Sequence, residues 1–176
     1  MFSVIERLLS GVPPAVVRVL EARVICRVFA KALAVEAPSL RGLSAKEALG
    51  ALQTFTAAQL EASVASGQAA QTRQQLGMRA RRLGQLVRHL VPLSQQGRQH
   101  LVQWLYRGIQ IELTGTIPGE LCFGPCSFTR AYTPASCALM SAFDEGFMCG
   151  MMGLDGPLTF HCRLTEGAAC CRASIT

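Results

Sequence analysis

Cysteine dominates the chemistry available to this chain. Of its eight cysteines, Cys26 stands alone, while Cys122, Cys126, Cys137, Cys149, Cys162, Cys170 and Cys171 fall within fifty residues. A single buried cysteine is ordinarily a small hydrophobe, but a cluster this dense points to a thiolate nucleophile or a metal site. Cys137 and Asp144 are seven positions apart, or two helical turns. That spacing puts both on one helix face, about 10 Å apart along the axis, with Ser141 between them. Met140, Phe143, Phe147 and Met151 form a neighbouring apolar stripe. An aspartate beside such a stripe needs a partner or a task, because burying its charge is costly; the plain alternative is an exposed or arginine-paired helix acid. Cys126 follows Gly124-Pro125 in a loop leading towards the same helix. Either it or Cys137 could have its thiol acidified by a helix N-terminus.

Further along, Cys162 and either Cys170 or Cys171 flank a tight connection that could bring thiols together across a hairpin. Zinc needs three or four such ligands, and no C-x-x-C pair occurs, so a metal is not favoured; a zinc ion would draw on Cys137, Cys162 and Cys170. His89, His100 and His161 are scattered. A catalytic His161 would be the natural base for a cysteine nucleophile, whereas a strand histidine beside Cys162 is more often simply exposed. There is no Ser/His/Asp arrangement, and the glycine-rich segments lack the lysine of a phosphate loop.

The elements that must position these groups are legible in outline. Residues 1–107 read as mainly helical. Pro13-Pro14 introduces a helix over Ala15–Val35. Ser44 caps one that runs to Gly67, a third covers Ala70–Leu90, and Ser94 starts a fourth through Tyr106. Residues 108–176 form the cysteine-rich part. Gly108–Leu113 alternates as a half-buried strand, Gly115, Pro118 and Gly119 turn, and Glu120–Phe123 is a second strand broken by Gly124 and Pro125. Thr133-Pro134 pairs a capping hydroxyl with proline at the first helical position, so a helix runs to Gly150 or Gly153. Asp155-Gly156-Pro157 turns into two closing strands, Leu158–Leu164 and Cys170–Ile175. The expected architecture is α+β: a helical N-terminal layer, then a small antiparallel sheet with one central helix, all in a single domain spanning residues 1–176.

Composition narrows the function. Half the residues are hydrophobic and 16% are charged, which excludes a disordered chain. Glu6 and Arg7 interrupt the first residues and no cleavage-site pattern follows. No window reaches about 18 apolar residues, so no membrane span is expected and the location reads as cytoplasmic. Net charge is +6, and seven arginines (Arg73, Arg79, Arg81, Arg82, Arg88, Arg98 and Arg107) lie between Glu61 and Glu112 with no acid among them. Leu76, Leu83, Leu86, Val87 and Leu90 form an apolar stripe beside them. The arginines therefore read as a solvated face, not a nucleic-acid site. The partner expected is a small-molecule substrate, with no nucleic acid and no membrane, and the oligomeric state is left open.

Four segments together resemble a family. Gly124-Pro125-Cys126-Ser127-Phe128, Thr133-Pro134-Ala135-Ser136-Cys137, Phe143-Asp144-Glu145-Gly146 and Thr165-Glu166-Gly167-Ala168-Ala169-Cys170-Cys171 resemble the L-2-amino-thiazoline-4-carboxylate hydrolases. Cys126, Cys137, Asp144, Gly167 and Cys171 fall on that family's positions; Ala168 stands where an acid is usual. The resemblance implies a hydrolase acting on a small C=N or amide-type heterocycle without a cofactor. Cys126 or Cys137 would be the nucleophile, Asp144 would handle protons or hold the substrate's amine, and Cys171 would complete the site. Arg130 would anchor a carboxylate, with Ser141, Thr165 and Glu166 around the substrate. The Cys162–Cys170 spacing also resembles the small-molecule-binding domain named after 4-vinyl reductase, some members of which bind zinc, although Thr159 replaces its glutamate. That likeness implies a non-enzymatic binding module.

Overall fold

The structure is a computed structural model that describes residues 13–175. The opening segment, read above as lacking an export signal, lies outside the described residues. Among the described residues four helices come first: α1 (Pro14–Leu33), α2 (Ala45–Ala65), α3 (Ala69–Leu90) and α4 (Gln95–Gly108). Strands β1 (Ile111–Gly115) and β2 (Gly119–Cys126), helix α5 (Pro134–Met152) and strands β3 (Leu158–Cys162) and β4 (Cys171–Ile175) complete the α+β arrangement. The sheet is antiparallel throughout, in the order β1-β2-β4-β3.

Local chemistry sets most of the helix starts. The Ser44 hydroxyl accepts from the Glu47 amide, and the Glu47 carboxylate takes the Ser44 amide at 2.8 Å and its hydroxyl at 2.6 Å, closing a capping box. Ser94 and Thr133 cap α4 and α5 through the amides of Gly97 and Ser136. Ser44→Ala is expected to destabilise the fold by about 1 kcal/mol, seen as a lower urea midpoint at unchanged slope.

Three strand expectations need correction. Helix α4 runs on to Gly108, and β1 begins only at Ile111, after Gln110 has taken a left-handed turn at φ 60. Gly124-Pro125 does not end β2. Ile111 faces Cys126 while Leu113 faces Phe123, so the glycine and proline together oppose the single residue Glu112. A bulge of this kind tolerates a proline that has no amide to donate. Strand β3 stops at Cys162, and a short 3-10 turn over Leu164–Glu166 carries the chain to β4.

Helix α5 is the centre of the molecule, with thirteen of its nineteen residues buried. It meets α3 backbone to backbone. A Cβ on Gly146 would collide with the Gly77 carbonyl, one on Gly150 with the Arg81 carbonyl, and one on Gly84 with the Phe147 carbonyl. The buried face of α3 is accordingly Thr72, Leu76, Ala80 and Gly84. Leu86 and Leu90, assigned to an apolar stripe by their spacing, are exposed instead. The arginines of α3 lie outside this contact and partly serve it: Arg73 binds Glu145 at 2.6 Å and the Ala138 carbonyl at 3.1 Å.

Candidate functional site

A cavity of about 440 Å³ lies between α1, α4, α5 and the sheet, within the range of small-molecule sites. Its wall is almost entirely apolar, with Leu20 and Val24 of α1, Trp104 of α4 and Phe123 and Phe160 of the sheet among the contributors. The few polar groups that reach it include Cys126, Cys137, Ser141, Asp144 and Cys171. Five residues singled out from the sequence therefore share one space.

Helix α5 supplies three of them on the face turned away from the α3 contact. Strand alternation supplies Cys171: it is buried together with Ala173 and Ile175, while Arg172 points outward. Cys126 is set by the turn that follows it. Ser127 donates to the Ile109 carbonyl at 3.0 Å and receives Gln53, and Thr129 donates to the Cys126 carbonyl at 2.9 Å.

The three cavity thiols differ in acidity. Burial pushes Cys126 up to about 11, so it rests as a thiol. Cys137 and Cys171 share a proton. The Cys171 thiol donates to the Cys137 sulfur, which holds Cys137 below the ordinary thiol value and Cys171 above it. Thr165 and the Arg163 guanidinium favour negative charge on Cys137 further. Among the described residues the buried Thr165 hydroxyl has no other partner, which leaves this sulfur as the group it can serve. Arg163 is held in turn by Ser141 at 3.2 Å and Glu166 at 3.4 Å, with its guanidinium over the Phe160 ring. Ser141 also donates to the Cys137 carbonyl at 3.1 Å.

Asp144 accepts the Tyr106 hydroxyl at 2.6 Å. Burial raises its carboxyl to about 7, Tyr106 restrains the rise, and the Cys137 charge adds to it. Asp144 is half-buried and lines the cavity. Glu21 is a second cavity acid, raised to about 8 by burial against the opposing influence of Arg18. Both carboxyls ionise more readily in the unfolded chain than in the folded one. The stability they permit at low pH is therefore lost as pH rises through about 7 and about 8. The urea midpoint is expected to fall between about pH 5 and about pH 7; a midpoint that rises over that window would contradict these assignments.

Other expected site residues lie elsewhere. Arg130 is exposed and does not line the cavity, so the structure does not place it as a carboxylate anchor there. Glu166 is exposed; it bonds Arg163, and its charge works against the Cys137 thiolate. Thr165 touches the site through Cys137 alone. His161 is exposed and bonds Ser174 at 2.7 Å, away from the cavity. The zinc set of Cys137, Cys162 and Cys170 is not assembled. Cys170 forms a disulfide with Cys122 across β2 and β4, and the Cys162 thiol turns to the Cys170 carbonyl at 3.5 Å. Among the described residues no group of three or more His, Cys, Asp or Glu side chains is placed to hold a metal ion. No helix among them is long and apolar enough to cross a membrane.

Sequence reading missed Tyr106, Arg163, Trp104 and Glu21. Each comes from an element whose packing against α5 or the sheet has no local signature. No family model, curated protein or solved structure matches the chain.

Proposed function

We propose that this protein is a cysteine-dependent, hydrolase-like enzyme for small, largely apolar molecules with a C=N or amide-type carbon, akin to the L-2-amino-thiazoline-4-carboxylate hydrolases. One observation carries the reading: Cys126, Cys137, Asp144 and Cys171 all open on a single apolar cavity. For an amide-type carbon, the Cys137 thiolate forms the C–S bond. The C–N bond then breaks with its electron pair on nitrogen, which takes the Asp144 proton. Water attacks the thioester-like carbon and gives a proton to the Asp144 carboxylate, and the C–S pair returns to Cys137. Cys171 stabilises the thiolate by donation, Tyr106 positions Asp144, and Cys126 remains a neutral part of the wall. Six of the eight cysteines are free thiols, which supports a cytoplasmic setting for this chemistry; the Cys122–Cys170 pair lies outside the cavity.

The test is turnover of alkyl-substituted 2-amino-thiazolines and cyclic amides, with iodoacetamide labelling mapped by mass spectrometry. Turnover that depends on Cys137, with Cys137 alkylated first, supports the reading. Turnover that survives Cys137→Ser ends it. A second reading, a non-enzymatic binding module of the 4-vinyl-reductase type, is favoured by how little of the wall is polar; saturable binding without turnover or adduct would select it.

A further inference from the structure

The cavity has a second polar pole, separate from the cysteines. Glu21 lines the cavity from α1, and among the described residues neither of its buried carboxyl oxygens has a hydrogen-bond partner. A buried, unsatisfied acid is rare in folded proteins because it forfeits hydration and gains nothing in return. Arg18, the one charged group among the described residues that acts on it, does not satisfy it: the Arg18 Nε donates to the Gly108 carbonyl at the end of α4, at 2.9 Å. Gly108 itself leaves the room the carboxyl occupies, since a Cβ there would overlap the Glu21 oxygens. The carboxyl is therefore accommodated in the wall but lacks a donor.

We infer that Glu21 is the recognition group for a nitrogen donor on the ligand, and that the cavity takes an apolar body carrying a protonated amine. This deepens the small-molecule reading given above and rests on the cavity being a ligand site. An ammonium would give Glu21 the hydrogen bonds and the charge it lacks, in surroundings where such a bond is strong. The apolar wall would hold a hydrocarbon portion by burial alone. The inference runs against the overall charge of +6, which by itself would favour anions.

Trp104 is the single tryptophan and lines the cavity, so its emission reports occupancy. The full chain would be titrated with n-decylamine, n-decanol and n-decanoate, each below its micellar concentration. Decylamine is expected to bind at least about tenfold tighter than decanol, with decanoate weakest. Glu21→Gln should abolish the amine preference and leave decanol affinity unchanged, and Glu21→Leu should do the same if the glutamine variant folds poorly. Cys137→Ser should keep the preference, so loss of the cysteine chemistry does not touch this inference. Equal affinities for amine and alcohol in the native chain, or a preference that survives Glu21→Gln, would overturn it. If none of the three probes changes Trp104 emission, this inference falls, while the cysteine reading stands or falls on the turnover test above.

Discussion

Turnover by Cys137→Ser is expected to fall by about a thousandfold or more, because losing a covalent nucleophile removes the step on which the others depend. A serine hydroxyl is far less acidic than the thiol it replaces. Cys171, Thr165 and Arg163 favour an anion there but cannot take a proton, and the Glu166 carboxylate that opposes it is held by Arg163. The pH profile should show the same division of labour. Activity rises as Cys137 loses its proton, below the pH of an ordinary thiol, and falls as Asp144 loses its own near about pH 7. The result is a narrow bell. Asp144→Asn should lower the rate by about 10²–10⁴-fold and remove the alkaline limb, since an amide does not titrate. A native profile that climbs steadily through pH 9 would mean that an unperturbed thiol does the work, and the assignment of Cys137 and Asp144 would have to be abandoned.

The largest effect on stability is expected from Gly146→Val. Its new side chain meets the Gly77 carbonyl, which is backbone and cannot rotate aside, and Ala80 Cβ already stands 3.1 Å from where the first carbon would sit. Helices α3 and α5 must separate, uncovering the most buried helix among the described residues. Overpacking of side chains alone costs about 1–3 kcal/mol; a forced helix separation adds the apolar surface returned to water, so the loss should exceed about 4 kcal/mol and leave little folded protein. Gly50→Ala is the matched control. It sits in α2 with nothing within 4 Å of the added carbon, so relief from glycine's backbone entropy should raise stability by about 0.5–1 kcal/mol. Urea midpoints that move alike for the two variants would show that the α3–α5 contact is looser than described.

What was legible before the structure follows a physical line. Ser44, Ser94 and Thr133-Pro134 announce helix starts because capping is a contact between neighbours in sequence. Cys137, Ser141 and Asp144 could be placed on one face because helical spacing is fixed by the backbone. The partners of Cys170 were not legible. A hairpin with Cys162 is what adjacency suggests, yet β4 has β2 on its other side, and the disulfide crosses to Cys122 there. Strand order is decided by long-range packing, as are the convergence of Tyr106 and Glu21 on the cavity and the approach of Arg163 to Ser141 and Cys137. One signal was present and overlooked. Ala142, Gly146 and Gly150 recur every fourth residue in a helix, and small residues at that interval let a second helix approach to backbone contact.

Helix α5 has almost no face for water, and this bears on the order in which the protein can be made. As the chain leaves the ribosome, α3 is complete forty-three residues before α5 begins. The small-residue groove that receives α5 can therefore form before the helix that fills it, which shortens the time an apolar helix spends uncovered and open to aggregation. Strand β4 emerges after both. Cys171 is therefore synthesised after every other residue that lines the cavity, and the thiol pair is the last part of the site to become available.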